Sequence, residues 1–282
     1  MNLKKENTVS VIIPNYNHVA FLKQRLESVY QQTYQDFEVI LLDDASTDNS
    51  QEILETYRNH PKTAHVIYNE DNSGSPFKQW QKGIALAQGE YIWIAESDDY
   101  CELDFLEKSM NVFSQKGHIH VVFTGTVNVD ENNKVVKKKS RIERRYEQLL
   151  KSDFTIKGHK FLNMFLPNYC IIRNVSSAVF KKSVVNSRTQ KMSDYAAIGD
   201  FYFWISLCLE NTNFAYISNK LNFMRKHEGT VRANKSKLLL KQQEYKKIHL
   251  EVFKARAYNI YVLYVLGAFY VKKRIKRLCV FC

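Results

Sequence analysis

The sequence is short of the residues that mark several protein classes. Among 282 residues there are 9 glycines and 4 prolines. No tract repeats and none is of low complexity, which excludes collagen-like chains, repeat arrays and flexible linkers. The 5 cysteines (Cys101, Cys170, Cys208, Cys279 and Cys282) include one close pair, C-V-F-C at the end of the chain, with no second pair and no histidine beside it. A zinc ribbon or a disulfide framework is therefore not expected, and a reducing compartment is. No apolar run reaches the roughly twenty residues that cross a bilayer. No apolar stretch precedes Val9 either, so neither a membrane-spanning helix nor a secretory leader is expected, and the chain is assigned to the cytoplasm.

Acidic residues are scarce in one place only. The formal net charge is +12, and residues 235–282 carry twelve Lys or Arg against Glu244 and Glu251, so the first 234 residues are close to neutral. That distribution argues against a basic nucleic-acid groove in the main body and for a cationic tail with its own role. A composition of 45% hydrophobic and 25% charged residues suits one large α/β domain with an appendage, or two modest domains.

What is present is an alternation of strand and helix. Residues 9–13 (V-S-V-I-I) predict a buried strand stopped by Pro14, with Pro14-Asn15-Tyr16-Asn17 as the loop at its carboxyl end. A helix is predicted over 18–31 from the spacing of Phe21, Leu22, Leu26, Val29 and Tyr30. Residues 37–42 form a second strand ending in Asp43-Asp44, after which Ser46 or Thr47 is expected to cap a helix. A third strand covers 64–68, and Pro76 starts a helix running to about 88. The fourth, Tyr91-Ile92-Trp93-Ile94-Ala95, runs straight into Glu96-Ser97-Asp98-Asp99. Four such units predict right-handed crossovers and a parallel sheet with helices on both faces.

In sheets of this kind ligands bind beyond the carboxyl ends of the strands. Three carboxylates within four residues repel one another unless a cation offsets them, and a hard divalent ion shared with a substrate's phosphates is the simplest one. A single acidic strand end could be a solvated helix cap. Two on one sheet edge point to a nucleotide and metal site.

The second half is less regular. Helices are predicted over 104–115 and 157–165, strands over 118–124, 175–180, 213–217 and 221–226, and a short helix from 181. The charge-rich segment 131–151 reads as a mobile excursion without apolar period. Gly199-Asp200 opens an apolar helix, and His227 follows the last strand. The tail reads as an amphipathic basic helix to about 254, an uncharged aromatic segment 257–271, and a cluster of Lys and Arg over 272–277. Such a tail fits an interfacial segment on anionic lipid. A helix packed on the core or on a dimer partner carries the same pattern.

Four blocks together, V-S-V-I-I-P-N-Y-N (9–17), Q-T-Y-Q-D-F-E-V-I-L-L-D-D-A-S-T-D-N (32–49), G-E-Y-I-W-I-A-E-S-D-D (89–99) and Gly199-Asp200, resemble the inverting family 2 glycosyltransferases of the bacterial cell-surface polysaccharide type. The resemblance implies an α/β GT-A fold, a Rossmann-like and mainly parallel mixed sheet over 1–232, with the C-terminal helical tail as 233–282. It implies a nucleotide-diphospho-sugar donor, with Pro14 and Tyr16 lining the base and ribose pocket and Asp44 accepting a hydrogen bond from the base. A carboxylate suits a uracil N–H, hence a UDP-sugar. Asp98 and Asp99 would hold the donor and a divalent metal, Mg²⁺ or Mn²⁺, with His227 approaching the metal from a closing loop. Asp200 would be the general base, with Asp194 its nearest rival, and Lys78 and Arg232 are weaker phosphate candidates.

The family commonly shows Asp-x-Asp-Asp where this chain has Glu96-Ser97-Asp98-Asp99. The implied reaction is transfer to a hydroxyl of a cell-surface glycan or lipid-linked saccharide at the inner membrane face, without nucleic acid. A sugar nucleotidyltransferase would instead carry a Gly-rich basic loop where Pro14-Asn15-Tyr16-Asn17 stands. A non-catalytic scaffold of the same fold would have no need of Asp44, Asp98, Asp99 and Asp200.

Overall fold

A computed structural model describes residues 5–137, 139–167, 169–227, 238–256 and 262–270. The order is β1 (Lys5–Asn15), α1 (Val19–Tyr30), β2 (Phe37–Asp43), α2 (Ser50–Glu55), β3 (Thr63–Tyr68), α3 (Pro76–Leu86), β4 (Gly89–Ile94), β5 (Tyr100–Cys101) and α4 (Phe105–Gln115). Then come β6 (Val121–Val129), α5 (Arg141–Arg145), β7 (Phe154–Lys157), α6 (Gly158–Phe165), β8 (Ala178–Lys181), α7 (Ser187–Gln190), α8 (Gly199–Leu209), β9 (Asn213–Arg225) and α9 (Leu238–Ala255). One sheet runs β3-β2-β1-β4-β8-β6-β9-β5, with β7 also paired to β9. The β3-β2-β1-β4 half is parallel. β8 runs antiparallel between β4 and β6, while β6 and β9 are parallel.

The period of two sorts each strand between two cores. Val9, Val11 and Ile13 face one cluster with Leu22, Leu26, Trp93 and Phe105. Ile12, Ile40, Ile92 and Ile94 face the other, with Trp80, Phe180, Phe203 and Trp204. Burial on both faces is why residues 39–42 of β2 read as an unbroken apolar run. Gly83 lets α3 approach β1, since a Cβ there would lie 2.3 Å from Ile12 Cγ2.

Several expectations need correction. Pro14 does not stop β1; it pairs opposite Leu42 one residue before the strand ends, past the last β4 partner at Ile12, where a missing N–H is tolerated. Neither Ser46 nor Thr47 caps α2, because Asp48 Oδ1 accepts from Ser50 N–H at 2.9 Å instead. The 131–151 segment is not featureless. It contains α5, opened by a Ser140–Glu143 capping box, and Ile142, Tyr146 and Leu150 recur at helical spacing and pack on the core. The two strands expected over 213–226 are one, β9, whose register slips opposite Gly125. Residues 175–177 form a 3₁₀ turn before β8, not a strand.

The tail reaches the core. Ile248 and Val252 of α9, and Val262 and Leu266 of the following helical stretch (262–270), are buried in the same cluster as α8. The expected domain boundary, Arg232 and the basic cluster 272–277 lie outside the described residues. Among the described residues no helix is long and apolar enough to cross a membrane. Gly83→Ala is expected to destabilise the protein by about 1–3 kcal/mol through overpacking against β1. Urea unfolding measures this, and an unchanged midpoint would contradict the packing described.

Candidate active site

At the carboxyl edge of the sheet the loops after β1 and β2 are locked together. Asn15 Nδ2 donates to Asp43 Oδ2 at 2.9 Å, Asn17 N–H donates to Ser46 Oγ at 2.9 Å, and Thr47 N–H donates to Asn17 Oδ1 at 2.8 Å. Asp48 Oδ2 accepts from Val19 N–H at 2.9 Å and so caps α1 from outside the helix. Asn17 and Ala45 sit in left-handed backbone at φ 53 and 60, which for Ala45 is strain held by these bonds.

Asp44 is buried and organises the next loop. Its Oδ1 accepts from Asn69 Nδ2 (2.6 Å), Ser73 N–H (2.9 Å) and Gln79 Nε2 (2.8 Å), and its Oδ2 from Ser73 Oγ (2.7 Å). Tyr16 stands beside this edge 44% exposed, and Pro14 is buried within β1. Lys78 Nζ donates to the Ser73 carbonyl at 3.0 Å.

The Glu96–Asp99 loop is strapped by two buried arginines. Arg25 of α1 donates through Nε to the Glu96 carbonyl at 2.9 Å, and its Nη2 lies 4.0 Å from Asp99 Oδ2. Arg225, at the end of β9, donates through Nε to the Asp98 carbonyl at 2.9 Å, and its own N–H donates to Asp99 Oδ1 at 3.0 Å. Its guanidinium also lies over Phe21, 4.6 Å from the ring centre. Asn174 Nδ2 donates to Asp99 Oδ2 and is itself held by Asn222.

The three carboxyls therefore differ. Burial, and then the charge of Asp98, push Glu96 up to about 8, and its Oε1 accepts from Trp80 Nε1 at 2.6 Å. Burial and Asp98 likewise push Asp99 up to about 7. Burial also opposes ionisation of Asp98, but the His227 hydrogen bond and the nearby imidazole charges prevail and hold it below the usual carboxylate range. The same bond raises His227, whereas burial lowers His18.

Asp98 faces two imidazoles. His227 Nε2 lies 3.1 Å from Asp98 Oδ2, and His18, bonded through Nδ1 to Ser97 Oγ at 2.8 Å, stacks edge-on to His227 at 5.3 Å. One ligand atom from each of His18, Asp98 and His227 lies within 4.8 Å of the others. Two imidazole nitrogens and a carboxylate fit a divalent transition metal, and fit Mn²⁺ better than Mg²⁺, which prefers an all-oxygen shell. Asp99 is not in this group; its oxygens point to Arg225, Asn174 and Arg25.

Asp200 lies in the first turn of α8, its Oδ1 accepting from Phe201 N–H at 2.8 Å. A Cβ on Gly199 would fall 2.5 Å from the Phe77 ring and 2.6 Å from the Met192 carbonyl, so only glycine allows this approach. Phe77 meets Trp80 edge-on at 5.0 Å, and Trp80 bonds Glu96, which joins the Gly199-Asp200 turn to the acidic loop. Asp194 ends a 3₁₀ turn and is exposed.

Reading the sequence missed His18, Arg25, Trp80, Asn174 and Arg225. Arg25 left a signal, an arginine on the apolar stripe Leu22, Leu26 and Val29. His18 left a weaker one, its place directly after the first strand-end loop.

A doubly covered α/β sheet with acids and imidazoles gathered at its carboxyl edge places its candidate site where open α/β sheets bind their ligands. The glycosyl transferase family 2 model matches residues 10–185, and the chain belongs to that family. It is 36% identical over 125 residues to the glycosyltransferase GlyG of Streptococcus pneumoniae, covering 44% of this chain and 41% of that one. An uncharacterised glycosyltransferase of Methanocaldococcus jannaschii is 27% identical over 259 residues, 90% of this chain and 83% of that one. In fold it is similar to S. aureus TarS in complex with UDP, with a TM-score of 0.66 at 20% identity over 88% of this chain and 66% of that one. The chain thus spans about two fifths of GlyG and two thirds of that TarS structure.

Replacing the buried cation by Arg25→Leu leaves Asp99 and the Glu96 carbonyl without it, and is expected to lower stability by about 3 kcal/mol. Chemical unfolding within 1 kcal/mol of wild type would contradict the strapping role.

Proposed function

We propose that the protein transfers a sugar from a nucleotide-diphosphate donor, UDP-linked, to a hydroxyl of a cell-surface glycan or lipid-linked saccharide, with inversion at the anomeric carbon. The observation that carries this reading is the gathering of His18, Asp98 and His227 at the carboxyl edge, in a chain of family 2. TarS complexes with UDP and UDP-GlcNAc support the donor class, and a Pyrobaculum calidifontis mannosyltransferase of similar fold (TM-score 0.59) is described with GDP-Man and Mn²⁺.

Asp44 Oδ2 accepts from Ser73 Oγ and has lone-pair capacity for a base N–H, while Tyr16 offers an exposed ring for stacking. A divalent ion on His18, Asp98 and His227 would supply positive charge against the diphosphate. Arg25 and Arg225 keep the loop in place while Asp98 faces the two imidazoles. Asp200 takes the proton of the acceptor hydroxyl as its oxygen attacks the anomeric carbon. The sugar–phosphate bond breaks, and the nucleotide diphosphate leaves with the electron pair.

On the acceptor side a groove of about 340 Å³ is lined by Lys137, Lys139, Lys151, Arg173 and Lys220 against Glu143 and Glu147. Arg173 directly precedes Asn174, the donor to Asp99, and the excess of cations favours an acceptor that carries negative charge. The outward face of α9 exposes Leu239, Leu250 and Phe253 beside Lys246, Lys247 and Lys254, which supports contact with an anionic membrane surface.

A donor panel assayed with Mn²⁺ tests the reaction. Asp98→Ala and Asp200→Ala are each expected to lower kcat/KM roughly 10²–10⁴-fold, and EDTA is expected to abolish turnover. Wild-type turnover in both variants would overturn the proposal.

A further inference from the structure

The tail helix brings a carboxylate to the start of α8. Glu244 of α9 is 3% exposed, and its oxygens accept from the backbone N–H groups of Ala196 (2.7 Å), Ala197 (3.1 Å) and Ile198 (3.0 Å). These three residues immediately precede Gly199-Asp200. The first N–H groups of a helix have no partner within it and carry partial positive charge, so a buried α8 needs an outside acceptor there. Its own sequence supplies none at the cap, since Ile198 has no side-chain oxygen. Glu244, 46 positions further along the chain, accepts from one of these N–H groups, that of Ile198 at the N-cap, and from the two N–H groups of the turn just before the helix.

A few contacts along α9 and just past its end hold that carboxylate in register. Arg256 Nη2 donates to the carbonyl of Leu209, the last residue of α8, at 3.3 Å, so a cation faces the negative end of the helix as Glu244 faces the positive end. Between them Tyr245 meets Phe201 edge-on at 5.2 Å, and the Tyr202 hydroxyl donates to Glu251 at 3.1 Å. Ile248 is fully buried on the same face. Asp200 is the second residue of the helix gripped in this way.

We propose that Glu244 is a positioning residue for sugar transfer: it fixes the 196–198 turn and thereby the direction of the Asp200 carboxylate. The tail helix is then part of the frame of the active site. The inference rests on Asp200 being the base.

The test compares Glu244→Gln with Val252→Ala, which loosens the same helix without touching the three bonds, using the panel donor that turns over. Glu244→Gln is expected to lower kcat roughly tenfold, as misplacement of a reacting group does, with donor KM unchanged. Val252→Ala is expected to lower the thermal midpoint and leave kcat at wild type. In an Asp200→Asn background Glu244→Gln is expected to add no further loss, because the two act as one unit. Glu244→Asp, which keeps the charge on a shorter arm, is expected to fall between wild type and Glu244→Gln. Equal kcat losses in Glu244→Gln and Val252→Ala, or wild-type kcat in Glu244→Gln while Asp200→Asn is impaired, overturn this inference alone. Wild-type kcat in Asp200→Asn overturns the base reading and this inference with it.

Discussion

Repulsion among three carboxylates at the end of one buried strand sets the terms for everything built around it. Two unit charges 4 Å apart interact by about 4 kcal/mol at an effective dielectric of 20, too much for Glu96, Asp98 and Asp99 all to be left ionised and unpaired. Each is dealt with differently. Glu96 is shifted toward its neutral form and bonded to the Trp80 indole. Asp99 is turned inward to Asn174, the Arg225 N–H and the field of Arg25. Asp98 is met by two imidazoles. The arginines come from α1 and from the end of β9, so the first helix and the last strand are both tied to four residues after β4.

That division explains which parts were legible in the sequence. The parallel half could be read because strands buried on both faces leave unbroken apolar runs, and those ending in acid stand out at once. β7 and the two-residue β5 were too short to show a period, and the polar Ser218-Asn219-Lys220 of β9 imitated a break between strands. In 131–151 abundant charge masked the spacing of Ile142, Tyr146 and Leu150. At the candidate site, Asp98, Asp44, Asp200 and His227 could be proposed from the sequence because each follows or opens an element. His18, Arg25, Arg225 and Glu244 act on partners far along the chain, some more than a hundred residues away, and no local pattern announces such a partner.

The tail changes meaning once its packing is known. From charge alone it looked like an appendage with a separate task. Its described residues instead close one core and face both ends of α8 with opposite charge, leaving the outward face of α9 for whatever surface the protein meets. Packing and surface contact use different faces of the same helix and do not compete.

We propose that one carboxylate and two imidazoles, rather than the Asp98-Asp99 pair, hold the cation. The most direct test of this is an anomalous difference map from crystals grown with UDP and Mn²⁺. A manganese peak bonded to Asp98 and His227 is expected, with His18 within reach and Asp99 still held by Asn174 and Arg225. A peak on Asp99 or Glu96, or bound UDP with no manganese at Asp98, would contradict it.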